Sequence, residues 1–336
     1  MRLVQVIGPQ GRRVMLVREP ELLTVGGFAS IVELAAAALR EGRALTAWIE
    51  QLLTGERLRY DEVYAGRSEW RLLPPIDVPG DPHRVLVSGT GLTHYGSARE
   101  RQAMHAAPQA AAEAAMTDSM RMFAWGQQQG RPAAGEVGVA PEWFYKGCGA
   151  MLRAHGEALL VPGYAEDGGE EAEVAMVYVN DEAGVPHRLG MCQGNEFSDH
   201  VFERRNYLNL AGSKLRSCAL GPELVLQAPF DDIAGEVRIL RAGKEIWQRQ
   251  IRTGEANMCH SLANLEHHHF KFENHRQPGQ VHVHFMGADA LSFGEGLRLQ
   301  AEDEVTIHFA GLGRPLWNPI TVARPLLQPV VVQGME

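Results

Sequence analysis

Glu171 and Glu173 stand two residues apart at the head of the run Val174-Ala175-Met176-Val177-Tyr178-Val179. The run reads as a strand, and side chains at i and i+2 of a strand point to one face. The spacing therefore aims two carboxylates at one spot. Two like charges so placed repel, and a hard divalent cation offsets the repulsion. Mg²⁺ takes oxygen ligands in octahedral geometry and keeps waters that a substrate can displace. The alternative reading is a solvated strand end, since Glu166 to Glu173 is a plainly acidic loop. A third carboxylate, Glu196, follows Gly194-Asn195, and Lys214 comes later in the same stretch.

These residues belong to a chain of 336 residues, enough for one large domain or for a large one with a small one. Hydrophobic residues make up 45% and charged residues 22%, and the net charge is −9. That is a globular balance with no basic field to attract nucleic acid or anionic lipid. Cys148, Cys192, Cys218 and Cys259 never fall at CxxC spacing, which suggests neither a zinc knuckle nor a redox pair. The first residues alternate like a strand instead of forming a leader, and no apolar run reaches about 18 residues. The expectation is a soluble, cytoplasmic protein with no membrane partner.

The elements that must position the acids follow from local signals. Arg2 to Gln5 and Arg13 to Arg18 read as strands about a turn at Gly8 to Gly11. Ser30 and Glu33 have capping-box spacing and predict a helix start, and Trp48, Ile49, Leu52 and Leu53 sit at helical spacing. Four prolines between Leu72 and Pro82 hold that segment extended. Residues 1–73 are thus expected to be a small unit, 74–83 a linker and 84–336 the larger domain. Arg84 to Gly89 reads as a strand. Residues 101 to 135, with Met104, Met116, Met120 and Met122, read as a helix plus a lid or dimer contact. Val237 to Arg241 and Glu245 to Arg252 form a hairpin about Ala242-Gly243. His267, His268 and His269 fall on a helix, where neighbours point about 100° apart and three cannot share one ion. His282 and His284 share a strand face, as ligands or as half-buried sheet residues.

Taken in order, Glu171-Ala172-Glu173, Asn195-Glu196-Phe197-Ser198, Lys214 and Leu220-Gly221-Pro222 resemble the metal site of the fumarylacetoacetate hydrolase superfamily. Glu196 stands where the family usually has Asp. The resemblance extends to the strand ending in Gly91-Leu92-Thr93-His94-Tyr95, to Trp143-Phe144-Tyr145-Lys146-Gly147, and to Gly311-Leu312-Gly313 and Asn318. It implies an α+β fold: a mixed, mostly β roll around the metal, with a small α+β amino-terminal domain, usually as a homodimer. It also implies Mg²⁺ (or Mn²⁺ or Ca²⁺) on Glu171, Glu173 and Glu196, with Lys146, Lys214 and Ser198 facing a small 2-oxo acid. Two departures matter. A water-activating His and Glu are expected on a mobile helix; Glu100 keeps the Glu, but Ser97 replaces the His, with His94 one helical turn away. The family's Thr-Gly-Thr turn is Met286-Gly287-Ala288 here, leaving the Ala288 N–H or Asp289 for the substrate.

The missing His argues against attack by water, and the polar turn from Gly194 to His200 resembles the branch acting on 2-keto-3-deoxy sugar acids. The expectation is a Mg-dependent hydro-lyase taking 2-keto-3-deoxypentonate (arabinonate) to 2,5-dioxopentanoate, as in non-phosphorylative pentose catabolism. In it Lys214 meets the substrate or moves its proton, and Glu100 or His94 helps the hydroxyl leave. The alternatives are a C–C hydrolase of acylpyruvates or diketo-deoxy sugar acids, and a non-catalytic sugar-acid-binding protein.

Overall fold

The strand Ala172–Asn180 is buried at every position, and for that reason it reads as a continuous apolar run and not as an alternation. Its two faces enter two cores. Val174, Met176 and Tyr178 pack with Val237, Ile239, Val305, Ile307 and Phe309. Ala175, Val177 and Val179 pack with Ile31, Leu34, Val283 and Phe285. The computed structural model describes residues 1–96 and 118–335. Ser97, Glu100, Met104 and Met116 lie outside them.

Ala172–Asn180 pairs antiparallel with Pro186–Asn195 on one side and with Val281–Phe285 on the other. Beyond Val281–Phe285 the sheet continues through Val85–Gly91, in parallel, to Glu142–Cys148. Beyond Pro186–Asn195 it continues through Leu224–Val225 to Arg2–Gly8, Gly11–Arg18, Glu21–Val25 and Leu53–Arg59. A second sheet runs Lys244–Thr253, Ile233–Arg241, Glu304–Phe309, Leu316–Val322 and Leu159–Val161. Among the described residues neither closes into a barrel. The five-stranded sheet covers one face of the large sheet, and the helix Ile31–Arg40 covers the other. The result is the mixed α+β, mostly β architecture expected from the sequence.

Local signals account for many boundaries. Ser30 caps the helix Ile31–Arg40, its side chain accepting from the Glu33 N–H. Ala242 and Gly243, with φ of 49° and 74°, make the tight turn of the expected hairpin. The helix Leu45–Gln51 stops before Leu53, contrary to the helical spacing: Leu53 instead pairs with Val25 as the edge strand Leu53–Arg59 begins. Pairing with an existing strand outweighs the local helical pattern there. The first strands are continuous with the large sheet, because Arg2 and Leu3 pair with Val225 and Leu224. Gln5 also pins the proline-rich segment, donating to Pro74 O (2.7 Å) and Asp77 Oδ1 (2.8 Å). No helix among the described residues is long and apolar enough to cross a membrane.

Candidate metal centre

Ala172 faces Asn195 and Glu173 faces Gly194 in the central antiparallel pair. The ladder does not end with the strands. The Glu196 N–H donates to Glu171 O at 2.9 Å, and Gly169 pairs with Ser198. Glu196 therefore sits directly opposite Glu171, while Glu173 lies two residues from Glu171 on the same face. Directly opposed positions bring Cβ atoms to about 4.5–5.5 Å, so one ladder places three acids at three neighbouring corners. Each offers an oxygen within 4.8 Å of the others, and all three are buried. Among the described residues this is the one group of acids, histidines or cysteines that could hold an ion. An all-oxygen donor set fits a hard cation such as Mg²⁺.

Two lysines reach into the same space. Lys146 lies on Glu142–Cys148 and is wholly buried; its Nζ pairs with Glu196 Oε1 at 2.7 Å and donates to Phe197 O. Lys214 ends the short helix Leu210–Lys214; its Nζ donates to Glu171 Oε1 and Glu196 Oε2, both at 2.6 Å, and to Ser198 Oγ at 3.0 Å. Phe144, two residues from Lys146 and so on the same strand face, presents its ring 4.6 Å from Lys214 Nζ. Ser198 Oγ lies 2.8 Å from Glu196 O and holds the turn closed. Lys146, Lys214 and Ser198 are thus brought together with the three acids.

The electrostatics separate the acids. Burial alone would raise Glu171, but Lys214 and His200 carry its carboxyl well below the usual range. Burial raises Glu196 in spite of both lysines. Burial and the charges of Glu171 and Glu196 push Glu173 well above the usual value. Glu173 takes a backbone donor instead, the Gly287 N–H at 2.7 Å from Oε2. Burial disfavours the Lys146 ammonium, whereas Glu171 and Glu196 outweigh burial at Lys214 and raise its pKa.

Gly287 holds φ of +101°, and a Cβ there would lie 2.1 Å from Thr93 Oγ1. Gly287→Ala is therefore expected to displace the N–H that fixes Glu173. It should lower stability by about 1 kcal/mol or more and weaken divalent-ion binding, measured by urea unfolding beside calorimetric titration.

The expectation for His94 meets a different geometry. The ring is fully buried, with Nδ1 2.9 Å from Thr93 Oγ1 and Nε2 2.9 Å from Thr253 Oγ1. Thr93 Oγ1 donates to Met286 O at 2.6 Å, so His94 braces the turn that carries Gly287. Burial lowers its pKa to about 3, and it stays neutral. Ala288 is buried beside this turn, and half-buried Asp289 accepts the Arg252 N–H at 3.0 Å. His269, on the helix Leu262–Phe270, and His282, on the strand Val281–Phe285, bond to one another at 2.9 Å. Glu100 lies outside the described residues.

Sequence reasoning missed His200. Its Nε2 lies 3.0 Å from Glu171 Oε1, and burial is outweighed by the Glu171 hydrogen bond and charge, which raise its pKa. The signal was Asp199, whose side chain accepts from the Phe202 N–H and caps the helix His200–Arg205.

By sequence, no protein-family model and no curated protein matches the chain. Solved structures do resemble it. A 2-keto-3-deoxy-D-arabinonate dehydratase in its apo form aligns with a TM-score of 0.70 at 20% identity, over 96% of this chain and 100% of its own. A second structure of such a dehydratase, complexed with magnesium and 2,5-dioxopentanoate, gives 0.69 at 20% identity with the same coverage. A 5-carboxymethyl-2-hydroxymuconate delta-isomerase from Mycobacterium smegmatis gives 0.57 at 16% identity, over 96% of this chain and 100% of its own. At such identities the likeness carries the architecture, and the chain has the fumarylacetoacetate hydrolase-like fold that these dehydratase and isomerase structures share.

Proposed function

We propose that this chain is a magnesium-dependent dehydratase of the fumarylacetoacetate hydrolase superfamily. Its proposed reaction converts 2-keto-3-deoxypentonate (arabinonate) to 2,5-dioxopentanoate. The observation that carries this reading is the buried set of Glu171, Glu173 and Glu196, backed by Lys146 and Lys214. The fold is shared with a dehydratase whose structure holds magnesium and that product.

Glu171, Glu173 and Glu196 would hold the ion. When bound, a divalent cation supplies Lewis-acid polarisation of the carboxylate and keto oxygens of a 2-oxo acid. The chain's own groups do the rest. The Lys214 ammonium, held charged by two carboxylates, balances negative charge developing on the substrate once the C3 proton leaves. Lys146 and Ser198 keep Glu196 in place. The Ala288 N–H and Asp289 serve the sugar-acid end, and Glu100 assists departure of the C4 hydroxyl. His94 acts through the Gly287 turn. The Glu100 carboxylate takes the C3 proton and returns it to the C4 hydroxyl, which leaves as water; the 5-hydroxy-2-oxopent-3-enoate that remains moves a proton from C5 to C3, and its enol becomes the aldehyde. No attacking water is needed, in keeping with Ser97 in place of a histidine.

The test is turnover of 2-keto-3-deoxypentonate by purified protein with Mg²⁺, followed by aldehyde formation. Semialdehyde that disappears on chelation is the expected result. Pyruvate release from a diketo acid, with no semialdehyde, would replace the dehydratase by a C–C hydrolase.

A further inference from the structure

Glu171 Oε1 is claimed by two donors, Lys214 Nζ at 2.6 Å and His200 Nε2 at 3.0 Å. Both of its bonds on that oxygen are made on the protein side. Lys214 is itself shared with Glu196 and Ser198, so His200 is the donor devoted to Glu171.

The ring is positioned by its own framework. His200 is the first residue of a helix capped by Asp199, whose Oδ1 accepts the Phe202 N–H at 3.0 Å and whose Oδ2 accepts the Glu166 N–H at 2.9 Å. Buried Arg216 clamps that cap, with Nη2 3.1 Å from Asp199 Oδ2 and Nη1 donating to Asp167 O at 2.7 Å. The ring packs over Gly169, where a Cβ would come 2.2 Å from Nδ1, and beside Phe293 at 5.2 Å between centroids. His200 Nδ1 is buried without a hydrogen-bond partner. A polar ring is kept in a tight site for what one of its two nitrogens does.

We propose that His200 is a positioning residue for the metal centre: its Nε2–H fixes Glu171 Oε1 and leaves Oε2 to face the cation. Nε2 carries a proton in either charge state that makes this bond, so the role is independent of ring charge. Outer partners of this kind orient ligating carboxylates, and their loss typically weakens metal affinity about 10–100-fold. The inference rests on the reading of Glu171, Glu173 and Glu196 as metal ligands.

The test is Mn²⁺ binding, followed by calorimetry and by the electron paramagnetic resonance of free Mn²⁺, with melting of the metal-free proteins as a control. His200→Gln places an N–H where Nε2 was, and His200→Asn places one too short to reach Glu171. Both are polar and of similar bulk, so their melting should match. We expect His200→Gln to bind Mn²⁺ within about threefold of the wild type and His200→Asn to bind about 10–100-fold more weakly. Equal affinities in the two variants would overturn the role of His200 and leave the metal centre standing. A wild-type protein that binds no Mn²⁺ would overturn the metal centre, and this inference with it.

Discussion

A Glu196→Ala protein is expected to lose divalent-ion binding and about 3–5 kcal/mol of folding stability together, because Lys146 would stay buried without its carboxylate and Lys214 would keep one of two. Glu173→Gln should separate the two effects. Glu173 is held by the Gly287 N–H, which a glutamine oxygen accepts equally well, and its charge is the one that burial and its two acidic neighbours oppose. The Gln protein should unfold at the wild-type urea midpoint or above it in chelator, yet show no Mg²⁺ stabilisation. Urea curves with and without Mg²⁺ read both quantities. If Glu196→Ala were as stable as the wild type in chelator, the lysines would not depend on it.

The second large effect is on acid stability. His94, His282 and His284 are buried and neutral. Burial lowers each to about 3, and repulsion that a second proton in the cluster would meet adds to it, from His282 and His275 at His284 and from His275 at His282. A base whose folded pKa lies below its unfolded value of about 6.5 contributes fully above that pH. The contribution is lost as pH falls, because the unfolded chain takes up protons first. Each such histidine should withdraw roughly 2–3 kcal/mol by pH 4.5. Glu170, Glu173, Glu196 and Glu223, raised by burial, titrate with the opposite sign, so the comparison must be made between variants. His284→Asn keeps a polar atom for Ser88 Oγ, now 2.8 Å from His284 Nδ1. Between pH 6 and 4.5 the wild type should lose about 1.4 kcal/mol per pH unit more than this variant. Parallel pH profiles would show that His284 is not held neutral by the fold.

Much of the centre was legible because it is local. An i, i+2 pair on a strand needs no tertiary knowledge to share a face, and the strand that carries it announces itself by composition. The opposition of Glu171 and Glu196 was less visible. It depends on a hairpin whose register shifts at Val177/Tyr178, and a shift of one residue cannot be read from spacing. Lys146 could be singled out, but its bond to Glu196 joins segments 50 residues apart (196 − 146). His200 escaped because a histidine after Asp looks like a surface helix start until Arg216 is seen to bury its cap. The edge strand Leu53–Arg59 escaped for a related reason: mostly exposed, it is defined by pairing with Glu21–Val25 and carries no alternation of its own.

The continuation of the central ladder past its strands has a consequence for ion choice. Glu171, Glu173 and Glu196 hang from backbone that is hydrogen-bonded through Gly169 and Ser198, so the sheet fixes the backbone positions of the three and leaves their side-chain torsions to adjust around an ion. A fixed backbone frame of this kind is expected to suit one range of ionic radii better than another. Mg²⁺ and ions of similar size need oxygens at about 2.0–2.1 Å, whereas Ca²⁺ asks for six to eight at about 2.3–2.6 Å. We expect Mg²⁺ to bind more tightly than Ca²⁺ here, with the spacing of the main chain contributing to the preference beside the acids themselves; calorimetric titration with each ion checks it.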